Sequence, residues 1–418
     1  MTRLYNRLAI SIIAPLIIVF RDPSLFIAPR FWAEEGAFWF AYAFSHNWID
    51  TIFSAFCGYY NFYPHIAALL ASRIVPLEYA PVVTTVMAFI VQVIPVMIIV
   101  WDDSILWNSS LKKITWTAII LLAPESSAIW LNTNGSQYYL SLITILILLA
   151  DTGLGSLFKK YFYRMLVMIA GLSGVLSCLI TPFFFFKAWR TKNHENFIQA
   201  GILFVCSLVQ LSIVFSTQHP DRLNHPDLAT VALIVLVRNF IAPFSISLAS
   251  QFRTFLLNFY NNSIFSMIGY GALITEIMVL WYFKRKISDK KSILIIGSFL
   301  LLTFFSTYFA IAGKNGMALL NARVGNRYYY TTNVLVLVMI FLSIDFQSRR
   351  FTHIVTSGLS IILLAIALIQ GGSIFINGKL KKENWPIWRK EIVIWKKNPS
   401  YKPKIWPTGW RVILKKKK

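Results

Sequence analysis

Charged residues are scarce in this chain of 418 residues: they make up 14%, against 57% hydrophobic residues. A soluble protein of this length would need far more polar surface to cover its core. Hydrophobic runs recur from end to end, and many approach the roughly 20 residues that a helix needs to cross a bilayer. The runs are continuously apolar rather than alternating, which argues against a membrane β-barrel. The sequence therefore predicts an all-α polytopic membrane protein.

Cysteine is also rare, and the three cysteines, Cys57, Cys178 and Cys206, are widely scattered. They form neither a disulfide framework nor a metal-binding pattern. No Gly-rich loop resembles a nucleotide phosphate cradle, so we expect no nucleotide cofactor. Acidic residues number 17 against 40 basic residues, for a net charge of +23. Loop bias in a membrane protein and attraction to anionic lipid explain this charge, so we expect a lipid bilayer as partner and no nucleic acid.

The apolar runs predict about eleven membrane spans. The first run, "LAISIIAPLIIVF", lacks a small-x-small cleavage site, so it predicts a signal-anchor helix. The stretch 165–189 is interrupted by Gly171, Gly174 and Pro182, and it fits one long span, two short spans or a re-entrant hairpin. The basic clusters on both sides favour the last two readings. The predicted spans are 8–20, 79–101, 114–130, 137–150, 165–176, 177–189, 197–216, 264–283, 292–312, 329–344 and 353–371.

Basic residues concentrate in the short segments between alternate spans, which places the N-terminus in the cytoplasm and the C-terminus outside. Three long segments are then outside: 21–78, 217–263 and the tail 372–418. We expect a juxtamembrane helix in the first and a re-entrant or interface-lying helix in the second. The sequence thus predicts a transmembrane domain, 1–371, followed by a tail with 14 Lys plus Arg and five tryptophans. Such a tail suits an anchor on anionic headgroups or a surface that attracts phosphorylated acceptors.

The stretch "PRFWAEEG" places Glu34 and Glu35 in the first outer loop among aromatic residues. Burial raises the pKa of a carboxyl group, and a like charge alongside raises one of the two further. A carboxylate tuned in this way is a better general base for a hydroxyl group. An ordinary solvated acid pair is the alternative. We expect Glu35 to be the base, because the following Gly36 leaves more room for a substrate.

Arg323 and Arg327 precede the tenth span, and on a helix they would lie on one face. A guanidinium offers a two-pronged hydrogen-bonding fork to phosphate, and Lys314 would add a point charge. These three residues are therefore candidates for binding a donor phosphate. Anchoring at the membrane interface, with the adjacent tyrosines, is the alternative.

Polar residues near the predicted fourth span are candidates for binding a sugar. Asn134, Gln137 and Tyr138 combine amide and phenol groups with aromatic faces, although an ordinary polar loop has the same composition. His65, in the first outer loop, is a further candidate for hydrogen bonding to a substrate, or else a structural residue. Tyr328, beside Arg327, completes the set of candidate substrate-binding residues.

An acidic pair in the first outer loop, directly after the first span, resembles the modified Asp-x-Asp-type motif of GT-C glycosyltransferases. Three further stretches are similar to the small bacterial members: "WLNTNGSQYYLSL", "NARVGNRYYYTTNVLVL" and "WPIWRKEIVIWKKNPSYKPKIWPTGWRVIL". Length, topology, the re-entrant segment and the composition resemble the phage-type O-antigen serotype-converting glucosyltransferases. The resemblance covers most of the chain as architecture, and the acidic pair is its one sharp motif.

The resemblance implies an enzyme of the bacterial inner membrane that transfers a hexose, most readily glucose, from undecaprenyl phosphate to a lipid-linked O-antigen unit on the periplasmic side. It implies that Glu34 or Glu35 is the base, with inversion of configuration, or that the pair holds a divalent cation. A small sugar-lipid flippase and a polyprenyl-phosphate glucosyltransferase would be partners. The alternatives are an O-antigen polymerase or ligase, and a polysaccharide-lipid flippase or transporter.

Overall fold

The computed structural model of the protein describes residues 2–56, 58–152, 155–217, 226–260, 262–287, 291–309, 316–345, 351–376 and 385–415. These residues form helices, turns and three isolated β-bridges, and no strand. The predicted all-α class is therefore confirmed for the described part of the chain. Two segments, Glu35–Phe40 and Leu236–Ile241, are π-helical, a conformation that is rare and often found at functional sites.

The α-helices are numbered here in chain order. They are α1 (Thr2–Arg21), α2 (Ser24–Ile27), α3 (Ala41–Ser45), α4 (Trp48–Phe53), α5 (Phe62–Arg73), α6 (Ala80–Trp101), α7 (Ser110–Leu122), α8 (Ser136–Leu149), α9 (Leu157–Leu172), α10 (Val175–Cys178), α11 (Thr181–Thr191), α12 (His194–Ser216), α13 (Leu228–Val235), α14 (Ile246–Leu257), α15 (Ser263–Lys286), α16 (Ser292–Phe309), α17 (Tyr330–Leu342), α18 (Phe351–Ile376) and α19 (Trp388–Lys397).

The chain folds into two compact units. Unit 1 comprises Met1–Asp103, Ile129–Gln218 and Asn377–Lys418, and unit 2 comprises Ser104–Ala128 and His219–Ile376. Unit 1 therefore holds α1–α6, α8–α12 and α19, and unit 2 holds α7 and α13–α18. Both predicted catalytic glutamates belong to unit 1, and the predicted arginine pair belongs to unit 2.

Several helices are long and apolar enough to cross a membrane, which indicates a membrane protein. Among the described residues there are five such segments, or six if a bent pair of helices counts as one span. The five are Leu4–Arg21, Leu77–Trp101, His194–Ser216, Ser263–Lys286 and Phe351–Ser373. Two shorter apolar helices, Leu228–Ile241 and Ser292–Tyr308, correspond to the predicted re-entrant segment and to most of the ninth predicted span.

The third predicted span, 114–130, is wrong at its C-terminal end. Helix α7 ends at Leu122, and the chain continues through turns. Pro124 cannot donate the hydrogen bond that would continue the helix. Glu125 follows with a left-handed φ of 71°, which no α-helix contains.

Contacts at the two ends of α1 define two ends of unit 1. Near the start of α1, Arg7 forms an ion pair with Asp103, just beyond the C-terminus of α6. At the last residue of α1, the guanidinium of Arg21 lies 4.4 Å from the ring centroid of Trp130. Arg7 and Asp103, both predicted to be cytoplasmic, thus share one end of this unit, and the loop at 129–135 lies near the other.

The segment 157–191 turns back on itself. Helix α9 and the following helices, Val175–Thr191, are bent by 118° at a break that contains Gly174. Gly174 has a φ of +142°, and a Cβ there would lie 2.8 Å from Oε1 of Gln137, so only glycine fits this turn. Arg164 in α9 pairs with Glu195 in α12 (2.5 Å), which brings the two flanking segments together. A bend of this size excludes one straight span over this stretch and fits either a broken span or a re-entrant hairpin.

The C-terminal tail packs into unit 1 rather than standing apart from it. Trp388 and Ile405 are buried against Phe31 and Phe40 of the first loop, in one hydrophobic cluster. The backbone of Trp406 pairs with this loop: its N–H donates a hydrogen bond to the carbonyl of Phe31, and its carbonyl accepts one from the N–H of Ala33. Tryptophan side chains predicted to lie in the lipid interface are therefore buried in the protein.

Gly36 serves this packing, and the prediction that it leaves room for a substrate is not supported. A Cβ at Gly36 would lie 2.7 Å from Cβ of Phe31 and 2.8 Å from Cδ1 of Ile405. Both distances are shorter than real Cβ contacts, so the side chain of Ile405 would have to move. The close approach of the tail to the first loop therefore requires glycine at this position.

We expect Gly36→Ala to lower the free energy of unfolding by about 1–3 kcal/mol, the usual cost of overpacking a dense core. Thermal unfolding of the purified protein in detergent measures this change. Gly201→Ala is the matched control, because a Cβ at Gly201 meets nothing within 4 Å; alanine in helix α12 should stabilise it by up to about 1 kcal/mol. Equal stability of Gly36→Ala and the wild type would contradict the packing of the tail.

Unit 2 has its own core, formed where α13 and the π-helical segment Leu236–Ile241 meet α14, α15 and the residues before α17. Close approach of α13 and α15 depends on Gly269, where a Cβ would lie 2.6 Å from Cβ of Ala229. The predicted re-entrant stretch is thus a broken helix: α13 continues through the π-helical segment, turns at 242–245 and restarts as α14.

Candidate functional site

The candidate site in unit 1 is formed where the first loop meets the segment between α7 and α8. Glu34 and Glu35 stand at the start of the π-helical segment Glu35–Phe40. Thr133 and Asn134 lie in a short 3-10 turn directly before α8. These four residues are about a hundred positions apart in sequence, yet each glutamate accepts a hydrogen bond from the opposite segment.

Glu35 is held inside the protein, with 1% of its surface exposed. Its Oε1 accepts hydrogen bonds from the backbone N–H (2.7 Å) and the hydroxyl (2.6 Å) of Thr133. Its Oε2 accepts one from the backbone N–H of Trp32 (3.0 Å). Both carboxylate oxygens are therefore engaged, and Glu35 ties the first loop to the segment before α8.

Glu34 occupies a different environment, because its side chain is half-buried. Its Oε2 accepts a hydrogen bond of 2.7 Å from the side-chain amide of Asn134. A carboxylate with this exposure is reachable from solvent, and the amide fixes its orientation. The two adjacent carboxylates thus differ in solvent exposure, as expected if the two glutamates have different roles.

The backbone on both sides of this contact is strained. Ala33 and Leu131 adopt left-handed conformations, with φ of 39° and 50°. Residues other than glycine rarely adopt such conformations, which cost about 1–3 kcal/mol each and cluster at functional sites. Ala33 directly precedes the glutamates, and Leu131 precedes the polar turn that binds them. The fold therefore maintains this junction against a local preference for other conformations.

Burial raises the pKa of the Glu35 carboxyl above its ordinary range. The hydrogen bonds from Thr133 and Trp32 and the charge of Arg30 act in the opposite direction, but burial is the larger effect. Because the folded-state pKa is raised, folding favours the protonated form. The stabilising contribution is thus present below the ordinary glutamate pKa and is lost as the pH rises through the raised value.

We expect Glu35→Gln to lower the free energy of unfolding by about 1–3 kcal/mol, the cost of leaving a buried donor unsatisfied. A glutamine offers one acceptor oxygen, so its NH₂ group would face either Thr133 or the N–H of Trp32. Thr133→Val removes only the hydroxyl donor and should cost about 1 kcal/mol. Denaturation of both single variants and the double variant gives their coupling; strictly additive losses would contradict the contact.

The contacts of Glu35 argue against the predicted alternative, in which the glutamate pair holds a divalent cation. N–H and O–H donors point at both oxygens of Glu35, and a cation ligand needs oxygens that face the ion instead. Over the described ranges, no group of three or more His, Cys, Asp or Glu side chains could hold a metal ion.

The other predicted substrate-binding residues of unit 1 differ in how deeply they are buried. Gln137 is half-buried, and its amide donates to the hydroxyl of Tyr59 (3.3 Å). Tyr138 is 1% exposed and packs in the core. His65 is fully buried beside Phe56, and burial lowers its pKa to about 4, so it is neutral at pH 7. The burial of Tyr138 and His65 favours packing roles over direct contact with a substrate.

The predicted arginine pair of unit 2 does not lie on one helical face. Arg323 is exposed in a turn, and Gly325, with a φ of 66°, separates it from the 3-10 turn Asn326–Tyr329 that contains Arg327. Arg327 is half-buried and contacts the ring of Tyr328, 5.4 Å from its centroid. Lys314, the third predicted phosphate ligand, lies outside the described residues. The spacing of four, which assumed a helix, therefore has no structural meaning here.

Unit 2 contains a buried ion pair that the sequence analysis did not assemble. Arg238, in the π-helical segment, pairs with Glu125 at 3.0 Å, and both side chains are at most 2% exposed. Arg238 also donates to the carbonyl of Asn321 (2.9 Å) and lies 4.6 Å from the ring centroid of Tyr329. The neighbouring Asn239 bonds to the side chains that begin α17.

Thr133 is the main residue of the glutamate site that sequence reasoning missed. It stands in "WLNTNGSQ", but an isolated threonine in a polar loop gives no sign that its N–H and hydroxyl bind an acid elsewhere in the chain. The tail was equally unexpected, since its tryptophans suit a lipid interface as well as a protein core. Comparison with protein-family models, curated proteins and solved structures finds no match to this chain.

Proposed function

We propose that the protein is a GT-C-type glycosyltransferase that moves a hexose from undecaprenyl phosphate to an O-antigen unit outside the bacterial inner membrane. The observation that supports this most directly is the divided environment of the glutamate pair, with Glu35 locked inside and Glu34 oriented by Asn134 and reachable from solvent. This is the arrangement that a loop-borne general base needs: one acid meets the substrate, and the other holds the loop.

Glu34 is the better candidate for the base, which reverses the preference for Glu35 drawn from the sequence. Glu34 would take the proton of the acceptor hydroxyl as that oxygen attacks the anomeric carbon. The bond from the anomeric carbon to the phosphate oxygen breaks, and polyprenyl phosphate leaves with the bonding electron pair. A single in-line displacement of this kind inverts the configuration at the anomeric carbon.

The proposed topology has about eleven spans, with the N-terminus in the cytoplasm and the tail outside. Ion pairs in unit 1 support the grouping of the cytoplasmic segments, since they join Arg7 with Asp103 and Lys159 with Asp102. The first loop, the polar turn before α8 and the tail would then share the outer side with the substrates. In unit 1, Gln137 is the proposed contact to the sugar, whereas Tyr138 and His65 are buried and have packing roles. The assignments of Arg323, Arg327 and Lys314 to a donor phosphate and of Tyr328 to a sugar stay predictions from the sequence.

An O-antigen polymerase or ligase is the second candidate function. It is favoured by the basic, tryptophan-rich tail, which suits a large anionic acceptor as well as a small one. Such enzymes would not depend on the acid pair of the first loop. A flippase or transporter is a third reading, and the buried Glu125–Arg238 pair is the observation that fits it best.

Expression in a bacterium whose O-antigen lacks the added hexose separates these functions. The host should also supply a polyprenyl-phosphate glucosyltransferase and a small sugar-lipid flippase, the two proposed partners. We expect mass spectrometry to find the repeat unit decorated with one hexose, and the Glu34→Gln, Glu35→Gln double variant to give none. Changed chain length without decoration would favour a polymerase, and an undecorated repeat with the wild-type chain at full membrane level would overturn the proposal.

A further inference from the structure

Arg30 is a buried charge without a hydrogen-bonding partner for its Nε–H among the described residues. Its side chain is only 8% exposed. Burial lowers the pKa of Arg30 to about 10, so it still carries its charge at neutral pH. Arg238 is buried at least as deeply, and its Nε–H likewise lacks a partner over the described ranges, but its two Nη groups donate to the carbonyl of Asn321 and to Glu125. A buried guanidinium that lacks such acceptors is costly and calls for an explanation.

Three tryptophans surround this guanidinium, and with it they form the arginine–tryptophan cluster: Arg30, Trp32, Trp385 and Trp406. The guanidinium carbon lies 3.8 Å from the ring centroid of Trp385, 5.6 Å from that of Trp32 and 5.8 Å from that of Trp406. Stacking of this kind holds a guanidinium in place but leaves the N–H groups in its plane available. The first loop and the tail thus build the cluster together.

Trp406 adds a second buried donor to the same place. It is 6% exposed, its ring centroid lies 4.1 Å from that of Trp385, and its Nε1–H finds no acceptor over the described ranges. Arginine and tryptophan side chains donate hydrogen bonds and accept none. A ligand that satisfies both must present acceptor oxygens, and the positive charge favours an oxyanion over a neutral hydroxyl.

Nearby acids limit the charge that this ligand can carry. Asp22 and Glu35 lie close enough to raise the pKa of Arg30, although neither appears as a hydrogen-bonding partner of its guanidinium. Their negative charge opposes a dianion more strongly than a monoanion. A singly charged phosphodiester therefore fits the cluster better than a phosphomonoester, which carries nearly two charges at neutral pH.

We propose that the arginine–tryptophan cluster binds the phosphodiester of a lipid-linked sugar, with Arg30 and Trp406 donating hydrogen bonds to its free oxygens. This inference rests on the proposed function, whose donor carries such a group. Arg30 lies four residues before Glu34, the proposed base. The reaction converts the phosphodiester of the donor into the phosphomonoester of the polyprenyl phosphate product. The cluster therefore binds the donor more tightly than this product, which favours release of the product.

Binding of short-chain probes to the purified full-length protein tests this without any turnover. The probes are a prenyl-phosphoryl hexose, the matching prenyl phosphate, and a neutral prenyl hexoside that lacks phosphate. We expect the wild type to bind the phosphodiester most tightly. Arg30→Gln should weaken its binding by about tenfold or more, the usual value of a hydrogen bond to a charged group, and leave the hexoside unchanged.

Two further variants keep the test decisive if Arg30→Gln unfolds. Trp406→Phe keeps an aromatic ring, removes one N–H donor, and should weaken phosphodiester binding by about threefold. Arg389→Gln is the matched control, because Arg389 also lies over an aromatic ring (Tyr79, 4.4 Å) but is exposed; its binding should equal that of the wild type.

Undiminished phosphodiester binding by folded Arg30→Gln and Trp406→Phe would overturn the inference, as would a wild type with no preference for the phosphodiester over the hexoside. An equal loss of affinity for the phosphodiester and for the neutral hexoside in Arg30→Gln would also overturn the inference. A failure of the proposed function alone would give a different result: the phosphodiester would bind through Arg30, but no hexose would be transferred to an acceptor.

Discussion

Glu34→Gln is expected to lower the rate of hexose transfer by about a hundredfold or more, the usual contribution of a general base. Glutamine retains the carbonyl oxygen that accepts the hydrogen bond from Asn134, so the loop should keep its structure. It cannot take a proton from the acceptor hydroxyl. Initial rates with a polyprenyl-phosphate hexose donor, at equal amounts of folded protein, measure the effect, which should fall on kcat more than on KM.

Asn134→Ala is the companion variant for this prediction. It leaves the carboxylate of Glu34 intact but removes the amide that orients it, so the rate should fall by about tenfold, well short of the loss in Glu34→Gln. Normal turnover by Glu34→Gln would remove Glu34 from the chemistry.

Glu125→Gln is expected to lower the free energy of unfolding by about 3–5 kcal/mol, because it leaves the charge of Arg238 buried without its counter-charge. Arg238 is fully buried, so neither water nor an exposed neighbour can replace the carboxylate. Unfolding of the purified protein by heat or denaturing detergent measures the loss.

Neutralising both partners should cost less than neutralising one. The double variant Glu125→Gln, Arg238→Gln carries no buried charge, and its stability should lie above that of Glu125→Gln alone. Arg285→Gln provides the control in the same unit, because Arg285 stacks on Trp281 (3.7 Å) but is exposed, and should change stability by less than about 1 kcal/mol. Wild-type stability in Glu125→Gln would contradict the structure of this pair.

The helical class and the positions of most helices followed from the sequence, because long apolar runs permit little else in a bilayer. The turn at Gly174 was also within reach, since glycine and proline interrupt an apolar run for local reasons. Arg323 and Arg327 show the limit of local reasoning. A spacing of four implies one helical face only if a helix is present, and the left-handed Gly325 prevents it.

A difference in role between Glu34 and Glu35 could be predicted from the sequence, but which of the two is buried and which is reachable from solvent could not. Two adjacent acids look alike in sequence, and their environments are set by Thr133 and Asn134, about a hundred residues away. Gly36 was misread for a related reason, because a Cβ there would meet Cδ1 of Ile405 in the tail as well as Cβ of Phe31 in the same loop. The burial of Arg30 likewise depends on Trp385 and Trp406 from the far end of the chain.

The most direct test of the account is a single-turnover reaction in liposomes with the purified wild type and a polyprenyl-phosphoryl hexose labelled in the sugar. The acceptor is a lipid-linked O-antigen repeat unit. We predict that the label moves to the acceptor with inverted anomeric configuration, that free polyprenyl phosphate is released in equal amount, and that Glu34→Gln reduces the rate by about a hundredfold or more. Folded wild-type protein that leaves the label on the donor, or a Glu34→Gln variant that transfers it at the wild-type rate, would contradict the account.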